Sequence, residues 1–178
     1  MHPHLTEVFA LLDEAQAALR AAVAVVPPAV RGRKPAPDRW SVNEVLEHLA
    51  LTTTRFTASV GGAIDQARAT GIGVEHAERV PLDETIRRRL ADRSERRQAP
   101  ESTVPTGALG ADAAWRAQEQ AHESFVRTLR GADGLALSGV SAEHRRWGAL
   151  TVYQWAECLA GHEKRHAQQI AELASARG

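Results

Sequence analysis

Residues 161–166 read Gly-His-Glu-Lys-Arg-His. His162, Glu163 and His166 match the H-E-x-x-H pattern, in which two histidines one helical turn apart hold zinc and the glutamate acts as general base of a peptidase. On an α-helix the two imidazoles differ by about 40° and share one stripe. That stripe is apolar, because Val152, Trp155, Leu159, His162, His166 and Gln169 follow one another at steps of three and four. Imidazoles on a buried seam need partners for their nitrogens, and a metal, a carboxylate or water would each serve. Spacing alone leaves three readings open: a peptidase site, a different metal site, or a charged stretch of helix.

A third imidazole stands in "EVLEHLALT", where His48 lies beside Leu49 and three positions after Val45. Counted from their helix starts, His48 is about 10 Å along its axis and His162 and His166 about 16 and 22 Å along theirs. The stagger of two packed helices can absorb the difference. Three neutral imidazoles hold a divalent ion and leave positions open, as in catalytic zinc sites. His2, His4, His76 and His122 have no comparable context, and the first two fall at a terminus expected to fray.

The elements that must position these residues are helices. Leu5, Val8, Leu12, Ala15, Leu19 and Ala22 trace one face, ended by Pro27-Pro28. Ser41 and Glu44 form a capping box for a second helix, with Trp40 and Val45 as its hydrophobic staple. That pattern fades near Gly71-Ile72-Gly73. "PLDETIRRRL" suggests a short helix opened by Pro81, and "RSERRQAPESTVPTG" a long polar loop. Such a loop either covers a site or serves as a plain crossover strap. A third helix is expected from about Ala111 to Leu129, ended by Gly131 and Gly134, and a fourth from Thr151 to about Ala174. Thr151 with Gln154, and Leu150 with Trp155, repeat the box and the staple. No repeat period and no convincing strand series appears. The expected fold is all-α: a four-helix bundle with a long crossover between helices two and three, in one domain over residues 1–178.

Composition removes several function classes. Twenty-two basic residues balance twenty-two acidic ones, which argues against a nucleic-acid binder and a polybasic membrane anchor. No apolar run reaches the roughly 18 residues that span a bilayer. The start, "MHPHLTEVFALLDEAQ", is acidic where a signal peptide would be basic and then apolar, so a cytoplasmic protein is expected. The single Cys158 excludes an internal disulfide framework and a CxxC zinc ribbon, so a metal site must lean on His, Asp or Glu.

"DRWSVNEVLEHLALT" at 38–52 and "HRRWGALTVYQWAECLAGHEKRHAQQI" at 144–170 resemble the DinB/YfiT-like superfamily of metalloenzymes, and the proline-bearing stretch at 92–107 resembles its connector. The resemblance follows the order of all four helices. It implies that one histidine of the second helix and two of the fourth bind a divalent ion, which carries over to His48, His162 and His166, the three reached from spacing. One departure is His144-Arg145, where some relatives have His-Pro before the turn.

The resemblance turns the reading of the opening stretch away from a peptidase. Glu172 falls about 240° around the helix from His166, off the site face. Glu163 reads as a solvated helix charge, with a base role left open. Gln169 would either bond a metal-bound water or merely pack. Cys158 reads as a small core residue, with a fourth-ligand role as the alternative that would close the site.

The activities implied are transfer involving a low-molecular-weight thiol such as bacillithiol, mycothiol or glutathione, or hydrolysis of a small amide or ester. The competing class is a non-catalytic stress or interaction bundle tied by the metal. Zinc or nickel is expected on purification from the affinity order, with iron or manganese as other occupants. A thiol with carboxylates would call for cations, for which Arg55 and the Arg87–Arg89 run are candidates. The expected partner is a small-molecule substrate, with no nucleic acid or membrane, and the resemblance also implies a homodimer.

Overall fold

The alternation of apolar and polar residues at helical period gives five α-helices and a small hairpin in the computed structural model, which describes residues 1–94 and 97–175. They are α1 (Pro3–Ala24), α2 (Val42–Ala69), α3 (Glu84–Ala91), α4 (Ala111–Arg130), β1 (Ser141–His144), β2 (Gly148–Thr151) and α5 (Val152–Ser175). The fold is all-α in character. α1, α2, α4 and α5 form the bundle, and α3 lies within the crossover between α2 and α4. α2 packs chiefly on α4 and α1 on α5, while α2 meets α5 along a narrower seam. Among the described residues no helix is long and apolar enough to cross a membrane.

The helix starts follow from their caps. Ser41 Oγ accepts from Glu44 N at 3.2 Å, and Glu44 Oε2 accepts from Ser41 N at 2.8 Å, closing the expected capping box. Thr151 and Gln154 repeat the exchange at α5, at 3.3 and 3.0 Å. α3 is capped by Asp83, whose carboxylate accepts from Thr85 N and Ile86 N, so it begins at Glu84 and not at Pro81.

Three expectations need correction. Residues 141–151 form a hairpin, with β1 and β2 antiparallel and Ser141 opposite Thr151. Four residues per strand are too few to show an alternating signal, and Gly148 supplies the positive φ of 76° that the turn requires. The N-terminus is tied down. His2 caps α1 by accepting from His4 N, its own backbone N donates to Asp133 Oδ1 at 2.8 Å, and His4 Nε2 reaches the Ala77 carbonyl at 3.1 Å. Glu163 is not solvated: it is fully buried. Part of the long polar loop, residues 95–96, lies outside the described residues.

The interior is two apolar clusters with polar groups between them. One gathers Leu5, Leu12, Phe125, Tyr153 and Trp155, and the other Leu19, Val45, Leu46 and Ile170. Between them on successive helices lie buried Gln16, Thr53, Gln118, His122 and Glu163. Unpaired, such groups would each cost about 1–3 kcal/mol. Gln16 and Gln118 exchange amide hydrogen bonds at 2.9 and 3.1 Å, and Gln118 Nε2 also donates to Glu163 Oε1 at 3.2 Å.

Glu75 anchors the far end. Its carboxylate accepts from Ala77 N, Ser138 N and Tyr153 Oη at 3.1, 2.8 and 3.3 Å. Burial alone would raise its pKa, but these hydrogen bonds outweigh it and hold the group below its ordinary 4.5. A carboxylate with a depressed folded pKa stabilises the fold above the unfolded value, and that contribution is lost as pH falls through the folded one. Glu75→Gln should therefore lower unfolding free energy by about 1–3 kcal/mol at pH 7. In chemical denaturation the gap from wild type should shrink as pH is lowered below 4.5.

Candidate metal centre

The antiparallel seam of α2 and α5 brings three histidines together. His48 and His162 have ring centroids 5.3 Å apart, His48 and His166 5.0 Å, and His162 and His166 4.6 Å. One nitrogen from each lies within 4.8 Å of the others. A tetrahedral ion at about 2.0–2.1 Å from each nitrogen would draw them closer, to about 3.4 Å.

The outer nitrogens decide which atoms face inward. His48 Nδ1 donates to the Thr103 carbonyl at 2.7 Å, and His166 Nδ1 donates to Gln169 Oε1 at 2.9 Å. Both histidines therefore keep Nε2 as a lone-pair donor, the arrangement by which ligating imidazoles are oriented. His162 Nε2 is buried without a hydrogen-bond partner among the described residues. An orphaned imidazole nitrogen beside two aligned ones fits a divalent ion. All three are poor bases. Burial, then the nearby His48, Arg165, His144 and Arg97, pushes His162 down to about 3. Burial also lowers His48, and it holds His166 well below its ordinary range. Neutral imidazole is the metal-binding form.

The crossover strap is part of the centre. Asn43 Nδ2 donates to the Leu109 carbonyl at 3.2 Å. Glu47 accepts from Thr106 N, Thr106 Oγ1 and Gly107 N at 3.0, 2.6 and 3.0 Å. Residues 103–109 are thus laced to the first turns of α2, which places the Thr103 carbonyl on His48. Trp40, the staple residue, lies with its ring 4.8 Å from that of His48.

Glu163 faces elsewhere. It follows His162 by one residue, about 100° around the helix, and its Oε1 accepts from His122 Nδ1 at 2.9 Å and from Gln118. Burial pushes its carboxyl above its ordinary range. The residue that gives the stretch its peptidase look belongs to the interior between α5 and α4. His122, which has no telling sequence context, is its partner.

Other candidates fall into place. Gln169 bonds His166 itself. Cys158 is buried, its thiol pushed up to about 12 by burial, and it stands outside the histidine group. Arg55 is exposed on α2, and Arg87, Arg88 and Arg89 are exposed on α3. The cations near the histidines are different ones. Arg165 is held below its usual range by burial and then by Arg97, Arg93 and Arg146. Arg165 donates to the Leu90 and Asp92 carbonyls, Arg97 to the Arg89 carbonyl, and Arg146 lies 4.9 Å over the Trp147 ring. Arg93 is neutralised by Glu172 at 2.6 Å.

His144 also belongs to the surroundings. Its Nδ1 accepts from the backbone N–H of Arg146 and Trp147 at 3.2 and 3.3 Å, so Nε2 carries the proton. Its ring lies 4.9 Å from Trp155 and 5.6 Å from Phe56. The sequence signal for it is faint: a histidine at the strand end just before α5.

Among protein families, the model of the DinB superfamily matches residues 11–170. Among curated proteins, the chain is similar to the uncharacterized protein YuaE of Bacillus subtilis (strain 168), with 27% identity over 145 residues, covering 79% of this chain and 81% of that one. No solved structure matches it.

Two substitutions separate the strap from the buried carboxylate. Glu47→Ala should weaken metal affinity about 10-fold by freeing the strap that orients His48, read by competition with a chromophoric chelator. Glu163→Gln should lower unfolding free energy by about 1–3 kcal/mol while one ion per chain still binds.

Proposed function

This chain belongs to the DinB superfamily, and on that premise we propose that it is a metal-dependent enzyme acting on a small-molecule substrate, transferring a low-molecular-weight thiol. The observation that carries the reading is the convergence of His48, His162 and His166 with two of the outer nitrogens already engaged. Three protein ligands hold an ion and leave positions for an incoming group. When bound, a zinc, nickel, iron or manganese ion would supply acidity, lowering the pKa of a coordinated thiol so that thiolate is present at neutral pH.

The chain's own residues would do the rest. Thr103 and Gln169 fix the rings of His48 and His166. Arg97 and Arg165 raise the potential on the His162 side, which suits a thiol bearing carboxylates and favours its ionised form. Phe56 and Trp155, whose ring centroids are 4.7 Å apart, offer an apolar face to the second substrate. A hydrolase would call for a carboxylate base at the ion, and Glu163 is turned into the interior. This favours transfer over hydrolysis.

The purified protein should hold about one divalent ion per chain. His48→Ala and His162→Ala should each abolish stoichiometric binding in elemental analysis, and full occupancy in both would overturn the site. Metal-loaded protein should conjugate bacillithiol, mycothiol or glutathione to a small electrophile, and chelation should remove the activity. Metal-dependent ester hydrolysis without thiol would favour the hydrolase instead, and a loaded protein inert to both would favour a structural ion.

A further inference from the structure

Four threonines follow His48 on α2, and their hydroxyls have two fates. Thr54 and Thr57 donate to the carbonyls four residues back, Ala50 at 2.8 Å and Thr53 at 2.9 Å. This is the usual outlet for a threonine in a helix. The hydroxyls of Thr52 and Thr53 are buried with no hydrogen-bond partner among the described residues. Thr53 is rotated about 100° from Thr52, toward the polar groups of the bundle interior.

Thr52 stands one turn after His48 on the same stripe. The Cα–Cβ bond of a helical residue tilts toward the N-terminus, here toward His48. One turn further on, Phe56 closes against Trp155. Because α2 and α5 are antiparallel, the same interval on α5 runs from His162 back to Trp155. Thr52, 8% exposed, thus stands on the stripe between His48, which meets His162 and His166, and Phe56, which meets Trp155. A buried hydroxyl left unpaired there is costly, and a ligand that accepts its proton would relieve that cost.

We propose that the Thr52 hydroxyl binds the exogenous ligand of the metal centre, donating a hydrogen bond to a small anion or thiolate held on the Phe56–Trp155 side. Thr52 is thus a ligand-positioning residue and not a packing residue. The inference rests on the metal reading above, and it concerns where the open position lies and what lines it.

Cobalt(II)-loaded protein titrated with azide and followed by visible absorption tests it without turnover. Thr52→Val should bind one cobalt per chain and melt at or above the wild-type temperature, with azide affinity about 10-fold weaker, as expected on losing a hydrogen bond to a charged group. Thr52→Ser should restore affinity to within about twofold of wild type, since it keeps the hydroxyl. Thr52→Ala provides the same comparison should valine disturb folding. Equal azide affinity in wild type and in the variants lacking the hydroxyl would overturn the proposal. A wild-type cobalt spectrum indifferent to azide would overturn both the proposal and the enzymatic reading. Hydroxyl-dependent azide binding with no thiol binding or turnover would uphold Thr52 and remove only the thiol-transfer reading.

Discussion

The rotation of α5 about its own axis is the constraint on which the centre depends. His162 and Glu163 are consecutive, so they point about 100° apart, and both are withdrawn from solvent or nearly so. A buried carboxylate without donors is among the costliest groups a fold can contain. Gln118 and His122 of α4 supply donors to Oε1, Oε2 having no partner among the described residues, and Gln16 of α1 steadies Gln118. Once Glu163 is held there, the stripe carrying His162 and His166 can only face α2. The glutamate thus aims the histidines by occupying the neighbouring direction.

α2 meets this orientation with a rigid start. The reciprocal bonds of Ser41 and Glu44 close its first turn, and Lys34 lies 2.8 Å from the Glu44 carboxylate. Asn43 and Glu47 then grip the strap that delivers a carbonyl to His48. Residues 103–109 are therefore an outer wall of the centre, meeting it through backbone atoms. Gly107, at φ 75° and with Glu44 Oε1 only 3.3 Å from where a Cβ would stand, lets the strap pass close to the helix.

What was legible in the sequence follows from the range of the forces involved. The capping boxes at Ser41 and Thr151 are local hydrogen bonds between residues three apart, so their letters suffice. The stripe through Trp155, His162 and His166 is equally local, and His48 could be added because it sits in another apolar run. The burial of Glu163 is not legible, because it depends on His122 and Gln118, 41 and 45 positions away, and charged helix residues default to solvent. The Thr103 carbonyl carries no side-chain signature at all. The arginines acting on the histidines carry no local signature either: Arg97 and Arg165 come from the strap and α5, whereas the conspicuous run at 87–89 is exposed.

The polar groups between the two apolar clusters have a further consequence, for motion. Gln16, Thr53, Gln118 and Glu163 interrupt hydrophobic contact midway along the bundle, which is where a local opening would cost least apolar contact. The histidine seam lies at the boundary of the two apolar clusters, with Leu159 on one side of His162 and Ala167 on the other. Loosening there leaves the Leu12–Phe125 half and the Leu19–Ile170 half each packed. An opening at the seam would thus be a sub-global fluctuation. Amide protons near the middle of α2 and α5 should then exchange through a lower-energy opening than those deep in either half.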